Sequence, residues 1–276
     1  MSPSLVAQFV LQRELARVNH DRGALQPWCS DSVINSYRFC NVQREDDKVT
    51  RWLKKHWRDE YWQHPNFIPA MILARMVNWP PTLENIGFPD RWDNEEIVEA
   101  IHKCAARGKA WTGAYVITTC GQAMDKAAYV VGTAAHALAM PAYQHSPRNT
   151  LDGLWTSLRS IPGLGAGFLA AQVVADVKYT PLLDKAIDWW TFAVPGPGSR
   201  RGINRYFELP LSTKLSDKEW IRHLRLMIND VQPLLTLKLH AQDWQNVMCE
   251  FDKWMRVKTG QGRPRSKYKP DESYDV

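Results

Sequence analysis

The stretch Ile161 to Gly165, reading IPGLG between two apolar segments of helical period, constrains this chain more than any other. Upstream, Leu151, Leu154, Trp155 and Leu158 recur at i, i+3, i+4 and i+7, which predicts a helix with one buried face. Asn149 or Thr150 can cap its start. Pro162 stops that helix, and Gly163 and Gly165 supply the left-handed or crowded conformations a tight reversal needs. FLAAQVVAD then begins a second helix. The pattern reads as a helix-hairpin-helix, a module whose glycines leave backbone N–H groups open at a helix N-terminus, where phosphate binds well. The plainer alternative is a tight turn between two core helices with no ligand.

The rest of the chain shows the same period and little strict alternation, so the expected fold is all-α. Helices are predicted over Leu5–Val18, Asp47–Trp57, Asn66–Asn78, Asn94–Arg107, Lys126–Ala139 and Ala241–Val257. Pro80 and Pro81 set the end of the third, and Ser216 with Glu219 forms a capping box for a further helix reaching about Val231. Three regions are expected: an N-terminal helical part over 1–140, the hairpin with a catalytic loop and C-terminal helices over 141–259, and an extended basic tail over 260–276.

Composition narrows the chemistry. With 276 residues and 45% hydrophobic content the chain can bury one large core or two modest ones. Five cysteines, odd in number and without a CxxC pair, argue against a disulfide framework and against a zinc or iron–sulfur site, and no metal site is expected. A reducing cytoplasm fits. There is no signal-peptide pattern and no run of about 18 apolar residues, so no membrane partner is expected. A net charge of +6 and 13 tryptophans lean toward a polyanion with stackable bases. GxxxxGK[ST], GxGxxG after a strand, HExxH and HxE with PCxxC are all missing, which removes the usual nucleotide-hydrolysis loop, the metalloprotease and the zinc deaminase.

The segment from Leu151 to Arg205, which includes SIPGLGAGFLAAQVVADVKYTPLLDKAIDWWTFAVPGPGSRRGINR, resembles the phage and fungal proteins called α-glutamyl/putrescinyl thymine pyrophosphorylases. NSYRFCNV from Asn35, RGKAWTGAYVI from Arg107 and MCEFDKWMRVKTGQGRPRSKY from Met248 resemble the same group. That group includes amino acid:DNA transferases and is similar in fold to helix-hairpin-helix DNA glycosylases. The resemblance implies two helical halves flanking a cleft. It implies thymidine hypermodification in phage DNA, within the cytoplasm of an infected bacterium: a separate kinase pyrophosphorylates 5-hydroxymethyl-uracil, and an amine then replaces the pyrophosphate. The partners would be the pyrophosphorylated DNA, an amino acid or polyamine, and that hydroxymethyl-uracil DNA kinase. No cofactor is implied, although a divalent cation can accompany the pyrophosphate.

Such a reaction needs a grip on DNA, a base pocket, cations for the leaving group and a carboxylate. Backbone N–H groups around Gly163, Gly165 and Gly167 are the candidates for a DNA phosphate, joined electrostatically by Arg263, Arg265 and Lys267 of the tail. Tyr37, Trp189 and Trp190 could line a pocket for a flipped base, or be core aromatics. PGPGSRRG, from Pro195 to Gly202, reads as an anion loop with Ser199, Arg200 and Arg201, or as a rigid turn carrying a solvated basic pair. Arg38, Arg107 and Lys109 could join it or form ordinary salt bridges. Glycosylases of this fold place a catalytic aspartate some two dozen residues beyond the hairpin, which points to Asp188 and, second, Asp184. Glu250, Asp252 and Lys253 form either a site wall or a solvated helix face. Two alternatives remain, a monofunctional glycosylase and a non-catalytic DNA-binding partner of the kinase. The lyase version is disfavoured because Gly167 stands where bifunctional glycosylases carry a lysine.

Overall fold

A computed structural model describes residues 1–113, 117–140, 149–262 and 267. Among these residues the fold is all-helical, with Tyr37 and Lys267 pairing in one isolated antiparallel bridge. No described helix is long and apolar enough to cross a membrane. The chain divides into two compact units, the first made of Met1–Asp47 with Trp190–Val276 and the second of Lys48–Trp189.

Unit 1 contains α1 (Pro3–Asp21), α2 (Ser32–Ser36), α11 (Pro197–Tyr206), α12 (Asp217–Val231) and α13 (Ala241–Lys258). Val6, Phe9 and Val10 of α1 share a core with Trp220, Leu224 and Met227 of α12 and with Trp244, Met248 and Phe251 of α13. The capping box at Ser216 and Glu219 forms as expected, each side chain taking the other's backbone N–H. His240 caps α13 by accepting the Asp243 N–H.

Unit 2 carries α3 (Lys48–Leu53), which runs through a π turn (Lys54–Arg58) into α4 (Asp59–Tyr61). It continues with α5 (Phe67–Val77), α6 (Pro80–Ile86), α7 (Asn94–Ala106), α8 (Lys126–Ala135), α9 (Leu151–Arg159) and α10 (Phe168–Val177). All of α5 except Ile68 is buried, as is α10 from Ala170 to Val177. Helices apolar on every side belong inside a core, and α5 packs against both α8 and α10. One ion pair joins these two helices: Arg75 donates Nε to Asp176 Oδ2 at 2.5 Å and Nη2 to the other oxygen, and it also reaches Asn78 and Thr50.

The α5 helix ends at Val77, ahead of Pro80 and Pro81 as expected, but proline also plays a second part. Pro80 and Pro81 do not simply end a helix but begin α6, and Pro197 begins α11 inside the stretch read as a glycine-rich loop. Proline at the first helical positions lacks only an N–H that would be unpaired there, so it starts a helix as readily as it stops one. The Lys126–Ala139 helix also tightens to 3₁₀ from His136 onward.

Candidate functional site: a guanidinium-rich seam and a hairpin

In unit 1, NSYRFCNV, SRRGINR and MCEFDKWMRVK meet along the seam of α11 and α13. Gly198 and Gly202 set its closeness: a Cβ at Gly202 would lie 2.1 Å from the Met248 carbonyl oxygen, and one at Gly198 would lie 2.3 Å from Cys249 Sγ. These glycines therefore admit a neighbouring helix rather than a phosphate, which corrects the anion-loop reading. Ser199 is fully buried, its hydroxyl donating to the Gly196 carbonyl at 3.0 Å and accepting the Gly196 N–H at 2.9 Å. It is a turn residue rather than a ligand group.

The paired arginines separate. Arg200 reaches the Leu215 carbonyl and Asp217 at the start of α12. Arg201 instead turns to Asp252, donating Nε to Oδ2 at 2.9 Å, while Arg205 one turn later donates Nε to Oδ1 at 2.7 Å. Arg256, one turn beyond Asp252 on α13, brings its Nε within 3.5 Å of Oδ2. The Asp252 side chain is 0% exposed, Arg205 7%, Arg201 39% and Arg256 33%. One buried carboxylate thus faces three guanidiniums. Arg205 Nη2 also holds Gln261 at 2.7 Å.

The neighbouring carboxylate is balanced: Glu250 accepts the Cys40 N–H at 3.1 Å and Lys253 Nζ at 2.8 Å. Glu250 and Asp252 are buried, so they are not a solvated face. Arg13 secures the same segment by donating Nε to the Cys40 carbonyl at 3.0 Å and Nη2 to that of Phe39 at 3.1 Å. The Glu250 carboxylate pushes the Cys40 thiol well above its ordinary value, and burial, then the same carboxylate, pushes Cys249 up to about 12. A raised thiol pKa works against thiolate formation.

In unit 2 the hairpin forms between α9 and α10. Ile161 and Leu164 are buried and anchor it, whereas Pro162, Gly163, Gly165 and Ala166 are exposed. Gly163 at φ 92° packs on Tyr129 and Thr133 of α8, and Gly167 at φ 81° packs on Trp155. Trp155 Nε1 donates to the Gly167 carbonyl at 2.9 Å and Arg159 Nε to that of Gly165 at 3.2 Å, which fixes the turn. Thr150, one of the two expected caps, accepts the Gly153 N–H.

Asp188 completes that helix start. Its two oxygens accept the N–H groups of Leu151 at 2.9 Å and Asp152 at 3.0 Å, so the carboxylate is fixed at the N-terminus of α9, where the helix dipole favours negative charge. Asp188→Ala is expected to cost about 1–2 kcal/mol, read as a lower urea midpoint; an unchanged midpoint would remove this capping role. Asp184 is exposed. Trp189 packs on the buried Lys178, whose Nζ lies 3.8 Å over its ring, and thus serves unit 2 as a wall for that cation. Trp190 and Tyr37 belong to unit 1, Trp190 being 54% exposed. Arg38 is exposed in unit 1. Arg107 and Lys109 are exposed in unit 2, Lys109 lying 3.9 Å over the Trp79 ring. Arg263 and Arg265 lie outside the described residues, while Lys267 pairs its backbone with Tyr37. Arg205, Asp252 and Arg256 went unassigned to the anion site in the sequence, although both i, i+4 pairs, Arg201 with Arg205 and Asp252 with Arg256, are readable there.

Fold and seam together define an all-helical protein in which one buried carboxylate gathers three arginines. The family model described as 5-hmdU DNA kinase, helical domain, matches residues 3–263, and the chain belongs to that family. A 5-hmdU DNA kinase of Bacillus phage SP10 is 25% identical over 212 residues, covering 68% of this chain and 33% of the relative. The chain thus spans about a third of that relative's length. No solved structure matches. The match is to the helical domain of a kinase and not specifically to the amine transferases of the earlier resemblance.

Proposed function

We propose that this chain serves thymidine hypermodification in phage DNA by holding DNA that bears 5-pyrophosphomethyl-uracil and exchanging the pyrophosphate for an amine. The carrying observation is the seam where three guanidiniums surround Asp252, an arrangement suited to a highly charged leaving group. The missing phosphate-binding loop supports the same division of labour, with phosphoryl transfer left to another part or protein. In the exchange, the amine nitrogen bonds to the C5 methylene, the carbon–oxygen bond breaks, pyrophosphate leaves with the electron pair, and the nitrogen loses a proton to base or solvent. The exposed hairpin around Gly163 and Gly165 would take a backbone phosphate, and Tyr37 and Trp190 would stack on a base. Within unit 2, Asp188 is the carboxylate we favour as a fixed negative charge, with Asp184 second.

A second reading has the chain hold DNA without chemistry of its own. It is favoured by the match to a domain covering only a third of a kinase. Incubating the protein with DNA carrying 5-pyrophosphomethyl-uracil and mixed amino acids, then weighing the released nucleosides, separates the two. An aminated nucleoside with free pyrophosphate is the expected result. DNA bound but unchanged would support the second reading, and an abasic site would mean a glycosylase.

A further inference from the structure

The charge count at the seam exceeds what its own carboxylate needs. Burying Asp252 requires one well-placed cation, and Arg205, itself 7% exposed, meets that need at 2.7 Å. Lys253 balances Glu250, and Asp217 balances Arg200. Arg201 and Arg256 are left over. Each turns its Nε inward to Asp252 Oδ2 and is about one-third exposed, and among the described residues their Nη groups have no partner. Arg256 Nε is buried and completes no hydrogen bond even there. Two like charges brought toward one oxygen repel each other unless a further anion bridges their outer ends.

We propose that Arg201 and Arg256 form a two-pronged site for a phosphoryl oxyanion of two or more charges, with Asp252 as the positioning residue that aims both forks. Guanidinium suits this ligand because its planar donors match pairs of phosphate oxygens. Assigning the bound group to the pyrophosphate of the modified base rests on the function proposed above; the anion chemistry of the seam does not.

Calorimetric titration of the full chain with inorganic pyrophosphate, and with plain and pyrophosphorylated DNA, tests the site. Arg201→Ala and Arg256→Ala should each weaken pyrophosphate binding about tenfold or more, as loss of a charged hydrogen bond implies. Arg201→Lys and Arg256→Lys retain the charge but lose the fork, and should weaken it several-fold with unchanged melting. Asp252→Asn is the sharpest variant: removing a negative charge beside an anion should tighten binding on charge alone, whereas a positioning role requires that it weaken. Tighter binding by folded Asp252→Asn, or lysine variants equal to wild type, overturns the proposal, as does wild-type protein that takes up no pyrophosphate at millimolar concentration. If Asp252→Asn does not fold, the lysine variants decide alone. Equal losses on plain and modified DNA would assign the site to backbone phosphate and overturn the base-pyrophosphate source. Pyrophosphate binding that follows these expectations without aminated product would sustain the site and sink the transfer reaction.

Discussion

Asp176→Ala is expected to destabilise unit 2 by about 3–5 kcal/mol, the cost of leaving one half of a buried ion pair alone. Asp176 is 0% exposed and Arg75 2%. The guanidinium is already directed to Asn78 Oδ1 at 3.1 Å and Thr50 Oγ1 at 2.9 Å, so it has no route to water without unpacking α5 from α10. Removing the carboxylate leaves a buried cation with only the neutral acceptors of Asn78 and Thr50. Urea unfolding followed by far-ultraviolet circular dichroism reads the loss. The double substitution Arg75→Met with Asp176→Leu should recover most of it, because a packed apolar pair carries no desolvation cost. A single-variant cost below about 1 kcal/mol would show the pair to be energetically idle.

Gly202→Ala is the second large effect. The new methyl would sit 2.1 Å from a backbone oxygen and 2.8 Å from the Met248 carbonyl carbon, and no rotamer change relieves a clash with main chain. The two helices must separate, opening a core that holds Trp244 and Phe251, and we expect a loss of about 3 kcal/mol or more. The same shift would draw Arg201 and Arg205 away from Asp252, so pyrophosphate binding should fall with stability. Gly198→Ala is the control. Its obstacle is Cys249 Sγ, a movable side-chain atom, and Cys249→Ala added to it should restore a near wild-type melting temperature. Similar behaviour of the two glycines, with or without the cysteine, would refute this account of the seam.

The long helices were readable from the sequence because their apolar period is sustained: Ala241–Lys258 and Asp217–Val231 differ from expectation by a residue or so at their ends. The short α2 and α6 were not, since five to seven residues hold too little period to recognise. PGPGSRRG misled because glycine and proline density signals a turn locally, while the reason for these glycines, the approach of Met248 and Cys249, lies about fifty residues away in sequence. Arg201 is readable as a candidate anion ligand by type, whereas its ion pair with Asp252 is not. That Arg200 serves another helix, and that Asp188 holds the start of α9, depends on tertiary partners that spacing alone does not reveal.

The division of the chain at Asp47 and Trp190 has a consequence for biosynthesis. A ribosome finishes α1 and α2, then makes the whole of unit 2, roughly 140 residues, before the first turn of α11 emerges. At ordinary elongation rates of about 5–20 residues per second this interval lasts roughly 7 to 30 s. Throughout it Val6, Phe9 and Val10 have none of their α12 and α13 partners, so α1 presents a sticky face long after unit 2 can close on itself. Chaperone demand should therefore centre on α1, which is made before unit 2 and is the last element to find its partners.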